Sequence, residues 1–404
     1  MPDNQTILSE RLIIWLVAAV QFLNIVDFMM IMPLGPDLAT ALDIAPSDIA
    51  SITAAYTFAA AISAIVSAKK IDQFSRKPAL LFFILGLSSA TMIASLAHTG
   101  TQLLLCRVLA GCFAGPATSV AFSLLIDNIP EERRGRAMGK VMGAFSVAAV
   151  AGVPIGMQLT IWFSWQAPFI TIGCSGLVVL FIILLKLPPQ PAKNITGNSI
   201  SITRLLSQPA IRSSYLMTAG AMFAGFLLIP NFSAYFQYNL GYPHDSIGTL
   251  YLTGGIGSFF AMRLSGHMVD RFGSTPVGWF AWVLSAGTIL ISLVLHQPIP
   301  LLLFFILFMS ANGARNVAIQ ALASKVPPAS MRGAYMSLQS ATRHLSTGGA
   351  ALLSSQILTT ADNGSLIDFN YLAAITIAVS LLVPVSMIIT QQRMQLVHHE
   401  KNPS

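Results

Sequence analysis

Five ionisable residues lie deep inside long apolar segments of this sequence, where a charge requires a partner or a function. They comprise one acid, three arginines and a histidine: Asp27, Arg107, Arg315, Arg343 and His344. A charged side chain at the centre of a membrane costs on the order of 3 kcal/mol or more. Carboxylates and imidazoles exchange protons, and the planar guanidinium fork binds carboxylates. These residue types therefore indicate proton transfer and recognition of an anionic group.

Asp27 and Arg107 form the first candidate site. Asp27 lies about 8 residues, or roughly 12 Å, from the outer end of its segment, and Arg107 about 6 residues, or roughly 9 Å. This similar depth is compatible with an ion pair. A carboxylate that alternates between paired and unpaired states changes its affinity for protons. We hypothesise that Asp27 carries a coupled proton and that Arg107 modulates it; a static structural ion pair is the alternative. Asp127 is expected in a loop ion pair instead.

Arg315, Arg343 and His344 are candidate substrate contacts. Both arginines lie about 10 residues, or roughly 15 Å, from the inner end of their segments, which places them near the middle of a membrane. Three arginines and a histidine against one deep aspartate leave the interior positive, which favours an anionic substrate. The alternative is that the arginines only satisfy backbone carbonyls and that His344 is a satisfied interior histidine.

Four uncharged side chains extend this set of candidate substrate contacts. Gln21 and Asn24 precede Asp27 by one or two helical turns and continue its polar face. Asn231 and Tyr235 belong to an aromatic and amide-bearing stripe that can line a site for a flat or amphipathic molecule. Ordinary packing explains the other aromatic residues of that stripe equally well.

The composition shows which elements must position these residues. The 404 residues are 54% hydrophobic and 9% charged, whereas a soluble globular chain carries about 25% charged residues. A helix needs roughly 20 apolar residues to cross a membrane. The sequence predicts an all-α polytopic membrane protein with twelve spans, at 12–34, 47–68, 78–97, 101–127, 137–160, 167–187, 211–239, 246–265, 277–295, 300–324, 334–360 and 370–390.

The basic residues predict the orientation of these spans. Of the 22 Lys and Arg residues, all except Arg107, Arg315 and Arg343 fall in segments on one side of the membrane. Because basic loops stay in the cytoplasm, both termini are expected there. The net charge of +7 is thus spread over short loops, which argues against a nucleic-acid partner. The three cysteines lie in apolar runs and indicate neither a disulfide nor a metal site.

Two basic loops recur at one offset, which indicates an internal repeat. Asp270 follows Asp72 by 198 residues, and the PEERRGRAMG loop is matched at the same distance by PPASMRGAYMS. The sequence therefore predicts two parallel six-helix halves, at 1–187 and 211–404, joined by a cytoplasmic linker at 188–210. Halves related in this way are a transporter architecture with the substrate site near the midplane.

The loop that contains Asp270 carries a family resemblance. Its Gly-x-x-x-Asp-Arg-x-Gly pattern, at Gly266, Asp270, Arg271 and Gly273, resembles the signature loop of the major facilitator superfamily. The first-half copy keeps Asp72 and Arg76 but has lost both glycines. The resemblance implies a conformational latch made by these six residues, with plain topogenesis as the alternative.

Further motifs place the resemblance within the superfamily. Arg107 with Gly111, and the run Gly152, Pro154 and Gly156, are similar to motifs of the twelve-span drug:proton antiporters, including the arabinose-efflux-like permeases. Val153 interrupts the usual Gly-Pro dipeptide of that group. The resemblance implies the major facilitator fold and alternating access. It does not fix the substrate.

The sequence thus predicts a proton-coupled antiporter that exports a small organic, possibly anionic, solute. A proton-coupled importer of an anionic metabolite or metal chelate is the alternative, and a non-transporting receptor or scaffold is a third hypothesis. Motifs for ATP hydrolysis, metal binding or intramembrane catalysis are absent from the sequence, so we expect neither an enzyme nor a cofactor. The expected partners are a small-molecule substrate, protons and the lipid bilayer, and the expected state is a monomer in a bacterial inner (plasma) membrane.

Overall fold

The computed structural model describes residues 4–71, 75–189, 205–327 and 331–401. Within these ranges the chain is almost entirely helical, as apolar segments must be when no water is present to satisfy their backbone groups. Asp72, part of the predicted latch, and most of the predicted linker lie outside the described residues. The chain divides into two compact units: unit one contains 1–196 with 241–248, and unit two contains 197–240 with 249–404.

Unit one is built from eight helices, one of which is short. They are α1 (Asn4–Met30), α2 (Gly35–Leu42), α3 (Asp48–Ile71), α4 (Arg76–Ala94), α5 (Gly100–Asn128), α6 (Glu131–Val147), α7 (Val153–Trp162) and α8 (Gln166–Lys186). A π-helical turn at Ala148–Gly152 joins α6 to α7, so these two helices together form the fifth predicted span.

Unit two is also helical but has more irregular backbone. Its helices are α9 (Pro209–Leu228), α10 (Ile247–Phe272), α11 (Ser274–Ile289), α12 (Leu301–Ala323), α13 (Arg332–Ile357), α14 (Phe369–Ser380) and α15 (Leu382–Lys401). After α9 the chain continues through a 3-10 turn at Ile229–Asn231, a short helical stretch and a π turn at Tyr235–Asn239. Pro230 cannot donate a backbone hydrogen bond, which accounts for the break.

The structure also contains a β-hairpin that the hydropathy pattern did not predict. Strands β1 (Thr359–Thr360) and β2 (Leu366–Ile367) pair antiparallel and form a small hairpin between α13 and α14. The side chain of Asn239 holds this hairpin, since its Nδ2 donates to Leu366 O at 2.8 Å and its Oδ1 accepts from Leu366 N at 2.9 Å.

The membrane-spanning class is confirmed. Nine helices of the described chain are long and apolar enough to cross a membrane. The other three predicted spans fall on α6 with α7, on α10 and on α13. Two of these helices include the basic loop residues at their ends, such as Arg271 in α10 and Arg332 in α13, which lowers their mean hydropathy.

Each unit has its own buried apolar core. In unit one a cluster that includes Val17, Ile84, Leu124 and Ile183 joins α1, α4, α5 and α8. In unit two the corresponding cluster is centred on Met217, Ile319, Tyr335, Val383 and Met387.

Glycines let α3 and α5 approach closely and thereby set the position of Arg107. A Cβ atom at Gly111 would collide with the carbonyl oxygen of Tyr56, and one at Gly115 would collide with that of Ala60. Small residues at helix crossings of membrane proteins permit such backbone contact. The same contact brings Tyr56 of α3 beside Arg107 of α5.

Candidate functional site

The structure brings Asp27 and Arg107 together in the interior of unit one. Arg107 Nη1 lies 2.9 Å from Asp27 Oδ1, and Nη2 donates to the backbone carbonyl of Asp27 at 3.0 Å. Both side chains are 1% exposed. The ion pair is therefore desolvated and fixed by two contacts from one guanidinium group, a geometry that arginine provides and lysine does not.

Two residues that the sequence analysis missed complete this cluster. Thr91 of α4, itself fully buried, donates its hydroxyl hydrogen bond to Asp27 Oδ1 at 2.9 Å. The ring of Tyr56 lies under the Arg107 guanidinium, with 4.3 Å between its centroid and Cζ, and stacks on Phe28. A cation over an aromatic face is stabilised further when both are desolvated. A polar residue inside an apolar span was the only sequence signal for either.

The hydrogen bonds at Asp27 are asymmetric. Oδ1 accepts from both Arg107 and Thr91, whereas the buried Oδ2 has no hydrogen-bond partner among the described residues. Arg107 Nε is likewise buried without one. A buried polar atom that lacks a partner costs about 1–3 kcal/mol. The cluster therefore contains three buried polar atoms without a hydrogen-bond partner among the described residues: Asp27 Oδ2, Arg107 Nε and the hydroxyl of Tyr56.

From Asp27 the polar face of α1 continues toward the start of the helix through Asn24 and Gln21. The spacing of three residues places all three side chains on one face of the helix. Asn24 Nδ2 donates to Thr118 Oγ1 at 3.2 Å, which leaves Asn24 Oδ1 without a partner in the described chain. Gln21 Nε2 is also buried and without a partner there. These predicted substrate residues thus each offer one unsatisfied polar atom.

Arg315 occupies a buried position in unit two. Its Nη2 donates to Ala221 O of α9 at 3.1 Å and to Asn312 Oδ1 of its own helix α12. This is the backbone-satisfying arrangement that the sequence analysis kept as an alternative. Its Nε, however, is buried with no partner among the described residues and stays available to a ligand.

Asn231 and Tyr235 lie at the irregular end of α9. Asn231 is fully buried, and its Nδ2 donates to Ser354 Oγ at 3.1 Å while its Oδ1 has no partner in the described ranges. Tyr235 stacks on Phe369 with 3.9 Å between ring centroids. Asn231 therefore keeps a free acceptor, whereas Tyr235 is engaged in aromatic packing.

Arg343 and His344 lie half-buried on α13. Their predicted role as substrate contacts stays a prediction.

Two polar pairs that the sequence analysis missed link α9 to α13. Ser214 and Tyr335 share a hydrogen bond between their hydroxyl groups, and Gln339 Nε2 donates to Thr218 Oγ1 at 3.2 Å.

The predicted latch residues are placed at the ends of helices. Arg76 Nε lies 3.0 Å from Asp127 Oδ2, so Asp127 belongs to an ion pair at the end of α5. Asp270 and Arg271 are exposed near the end of α10, and within the described residues Asp270 takes part in no ion pair. Gly273 has φ of +88°, a backbone conformation that favours glycine. Gly266 precedes it in α10, where an added Cβ would meet nothing within 4 Å.

Another side-chain contact in unit one joins α2 to a turn that lies far along the chain. His244 Nε2 lies 3.5 Å from Asp37 Oδ1. Burial raises the pKa of the Asp37 carboxyl, and the attraction of His244 acts in the opposite direction. The pair attaches the turn at His244–Ser246 to α2, which explains why 241–248 groups with unit one.

Comparison with known proteins now identifies the class. The chain belongs to the Major Facilitator Superfamily, whose family model matches residues 17–351 and 214–399. The chain is therefore a transporter rather than an enzyme or a non-transporting scaffold, and a multi-pass membrane protein.

Particular relatives refine this picture. The chain is 26% identical over 371 residues to a chloramphenicol resistance protein of Streptomyces lividans, covering 88% of this chain and 90% of the relative. It is 24% identical over 281 residues to the purine ribonucleoside efflux pump NepI of Escherichia coli O6:K15:H31 (strain 536 / UPEC), covering 67% and 68%. The fold is similar to that of a crystallised D-xylose-proton symporter, with a TM-score of 0.75 at 16% identity over 93% of this chain and 96% of that one.

Proposed function

We propose that this transporter exports a small organic molecule in exchange for protons and that Asp27 is the proton-binding carboxylate. The observation that carries the proposal is the geometry of Asp27. Its side chain is 1% exposed, Arg107 and Thr91 hold one oxygen, and the other oxygen has no partner among the described residues.

This arrangement supports proton exchange for a simple electrostatic reason. A buried carboxylate stays ionised while a guanidinium group compensates its charge, and it takes up a proton when that compensation weakens. Alternating access supplies such a change, because the surroundings of a central site differ between the two states. Asp27 then binds a proton at its free oxygen in one state and releases it in the other.

The substrate proposal rests on the unsatisfied atoms. In unit one Gln21 Nε2 and Asn24 Oδ1, and in unit two Asn231 Oδ1 and Arg315 Nε, are buried without partners among the described residues. Buried polar groups are rarely left unpaired unless a ligand or water completes them. We propose that the substrate supplies the missing hydrogen bonds of Asn231 and Arg315 in unit two and presents an acceptor or anionic group to Arg315, with Arg343 and His344 as further contacts. Gln21 and Asn24 of unit one stay candidate contacts.

The direction and location of transport are proposed from the relatives. The names of two bacterial relatives describe drug resistance and nucleoside efflux, which favours export across a bacterial inner membrane over the import alternative. We propose that a monomer performs the whole cycle.

Transport in proteoliposomes tests the proposal. The purified protein is reconstituted, a pH gradient is imposed, and accumulation of chloramphenicol and of a purine ribonucleoside is measured with each sign of the gradient. We expect uphill transport that moves substrate toward the acidic side, as proton antiport requires. Accumulation away from the acidic side shows import, and transport that ignores the gradient contradicts proton coupling.

The Asp27→Asn variant tests whether Asp27 is the residue that couples transport to proton movement. We expect it to lose gradient-driven accumulation and to keep exchange of labelled for unlabelled substrate, because that exchange needs no net proton movement. Glu10→Gln is the matched control, since Glu10 is also paired with an arginine of unit one, Arg133, but is not among the proposed transport residues. Full gradient-driven transport by the Asp27 variant would overturn the assignment.

A further inference from the structure

The structure contains a groove beside α1 that the transport cycle does not use. It has a volume of about 320 Å³ and is lined by Arg11, Ile14, Trp15, Ala18 and Lys140. The first four residues recur at the spacing of one helix face, and Lys140 comes from α6. All five belong to unit one.

Two cations converge on this groove, and no acid among the described residues balances them. Arg11 and Lys140 are both exposed, and neither takes part in an ion pair or a hydrogen bond among the side chains that the structure describes. The neighbouring acid, Glu10, is occupied, because Arg133 Nη2 lies 3.0 Å from its Oε1. The groove therefore presents positive charge that complements an anion.

The side of the groove that faces the membrane centre is apolar and exposed. Trp15 has 73% of its surface exposed although it lies within the candidate span that begins at Glu10. It is about 5 residues, or roughly 7.5 Å, from the start of that span. Tryptophan is enriched at this depth, where headgroups meet acyl chains. Ile14 and Ala18 continue the apolar face toward the membrane centre.

The two charges are not repeated at the corresponding positions of the predicted internal repeat. At the offset of 198 residues that relates the two halves, Pro209 stands for Arg11 and Leu338 stands for Lys140. The tendency of basic residues to face the cytoplasm explains their sign. It does not explain why two of them share one groove with an exposed tryptophan.

We propose that this groove binds the headgroup of an anionic glycerophospholipid from the cytoplasmic leaflet. Arg11 and Lys140 bind its phosphate, Trp15 packs against the glycerol region, and Ile14 with Ala18 contact the first part of an acyl chain. Basic pockets between helices on the cytoplasmic side suit such headgroups. A water-soluble phosphate shares the anionic chemistry but leaves the apolar half of the groove unused.

Native mass spectrometry of the full-length protein in detergent tests the site, with phosphatidylglycerol and phosphatidylcholine as probes. We expect the wild type to retain phosphatidylglycerol preferentially. The Arg11→Gln/Lys140→Gln variant is expected to lose about tenfold or more of that preference, because each basic residue near the surface contributes appreciably to anionic lipid binding. Arg212→Gln/Lys325→Gln is the control, since both residues are exposed cations of unit two. Equal loss in both variants, or in neither, would overturn the proposal.

Two further arms separate the lipid from a free phosphate and test the contact at Trp15. In thermal unfolding with sn-glycerol 3-phosphate, stabilisation equal to that by phosphatidylglycerol would overturn the lipid assignment. The second arm measures quenching of tryptophan fluorescence by phosphatidylglycerol with brominated acyl chains. We expect Trp15→Leu to remove a large part of the quenching and Trp162→Leu, a similarly exposed control at 68%, to remove little. The reverse order contradicts the proposal.

Discussion

Arg107 contacts Asp27 through two separate nitrogens, Nη1 to the carboxylate oxygen at 2.9 Å and Nη2 to the backbone carbonyl at 3.0 Å. The guanidinium group therefore binds both the charge of Asp27 and the helix that carries it. This relationship links the candidate proton site to the packing of α5 against α1, and any movement of Arg107 changes both together.

Loss of the Arg107 guanidinium is expected to destabilise unit one. Arg107→Gln leaves the Asp27 carboxyl group buried without its partner, and breaking a buried pair in this way costs about 3–5 kcal/mol. The variant is expected to show a clearly lower melting temperature at neutral pH, measured by thermal unfolding in detergent. Arg107→Lys should recover part of this loss, because lysine keeps the charge but replaces only one of the two contacts.

The double variant Asp27→Asn/Arg107→Gln is the control for that prediction. Both charges are then absent, so the penalty for an uncompensated carboxylate disappears. We expect its melting temperature to lie above that of Arg107→Gln. A double variant less stable than the single one would show that the ion pair is not the reason for the destabilisation.

The close contact between α3 and α5 leads to a second prediction. Gly115→Ala places a Cβ atom against the carbonyl oxygen of Ala60, a rigid backbone atom, so the helices must separate. Overpacking of this kind costs about 1–3 kcal/mol, and we expect a lower melting temperature and weaker transport. Gly287→Ala is the matched control, because nothing lies within 4 Å of its added Cβ. Similar stability of the two variants would argue against this helix contact.

The carboxyl of Asp37 gives a pH-dependent prediction. Burial raises its pKa above the ordinary value of 3.8. The folded protein therefore holds this proton more tightly than an unfolded chain does, so the group favours folding at acid pH, and that contribution is lost as pH rises through the raised pKa. Asp37→Asn cannot lose a proton. The melting temperature of the wild type relative to Asp37→Asn is thus expected to fall as the pH rises above the ordinary carboxyl pKa of 3.8.

The exposed Asp43 supplies the control for this pH series. Asp43→Asn shows how the loss of an exposed carboxyl group changes the melting temperature over the same pH series. A difference for Asp37→Asn that stays constant or changes in the opposite direction would show that burial does not govern this carboxyl.

Removal of the free Arg315 nitrogen tests the substrate site. Arg315→Gln is expected to raise the KM for an anionic substrate by about tenfold, since a hydrogen bond to a charged group contributes about 1.5–3 kcal/mol. Asn312→Ala removes a partner of Arg315 while keeping Nε, and we expect a smaller change in KM. Arg263→Gln, an exposed cation of α10, controls for charge alone. An unchanged KM for every anionic substrate in Arg315→Gln would exclude the contact.

The membrane class, the span positions and the pairing of charges differ in how far the sequence could predict them. Apolar length and loop charge are local properties, so they predicted helices such as α5 and α12 directly. The hairpin at 359–367 and the π turn at Tyr235–Asn239 were missed, because they depend on contacts such as Asn239 with Leu366 and on packing around Pro230. Neither leaves a periodic signal in the sequence.

By itself the sequence determined which residues are costly to bury, because desolvation depends on residue type and on the apolar length around it. It therefore identified Asp27, Arg107 and Arg315 as residues that need partners. Only the tertiary structure decided which residues those partners are. They are Thr91 and Tyr56 for the pair of Asp27 and Arg107, and Ala221 with Asn312 for Arg315. The physical reason is that a hydrogen bond requires a distance near 3 Å between atoms, and the crossing of helices far apart in the chain sets that distance.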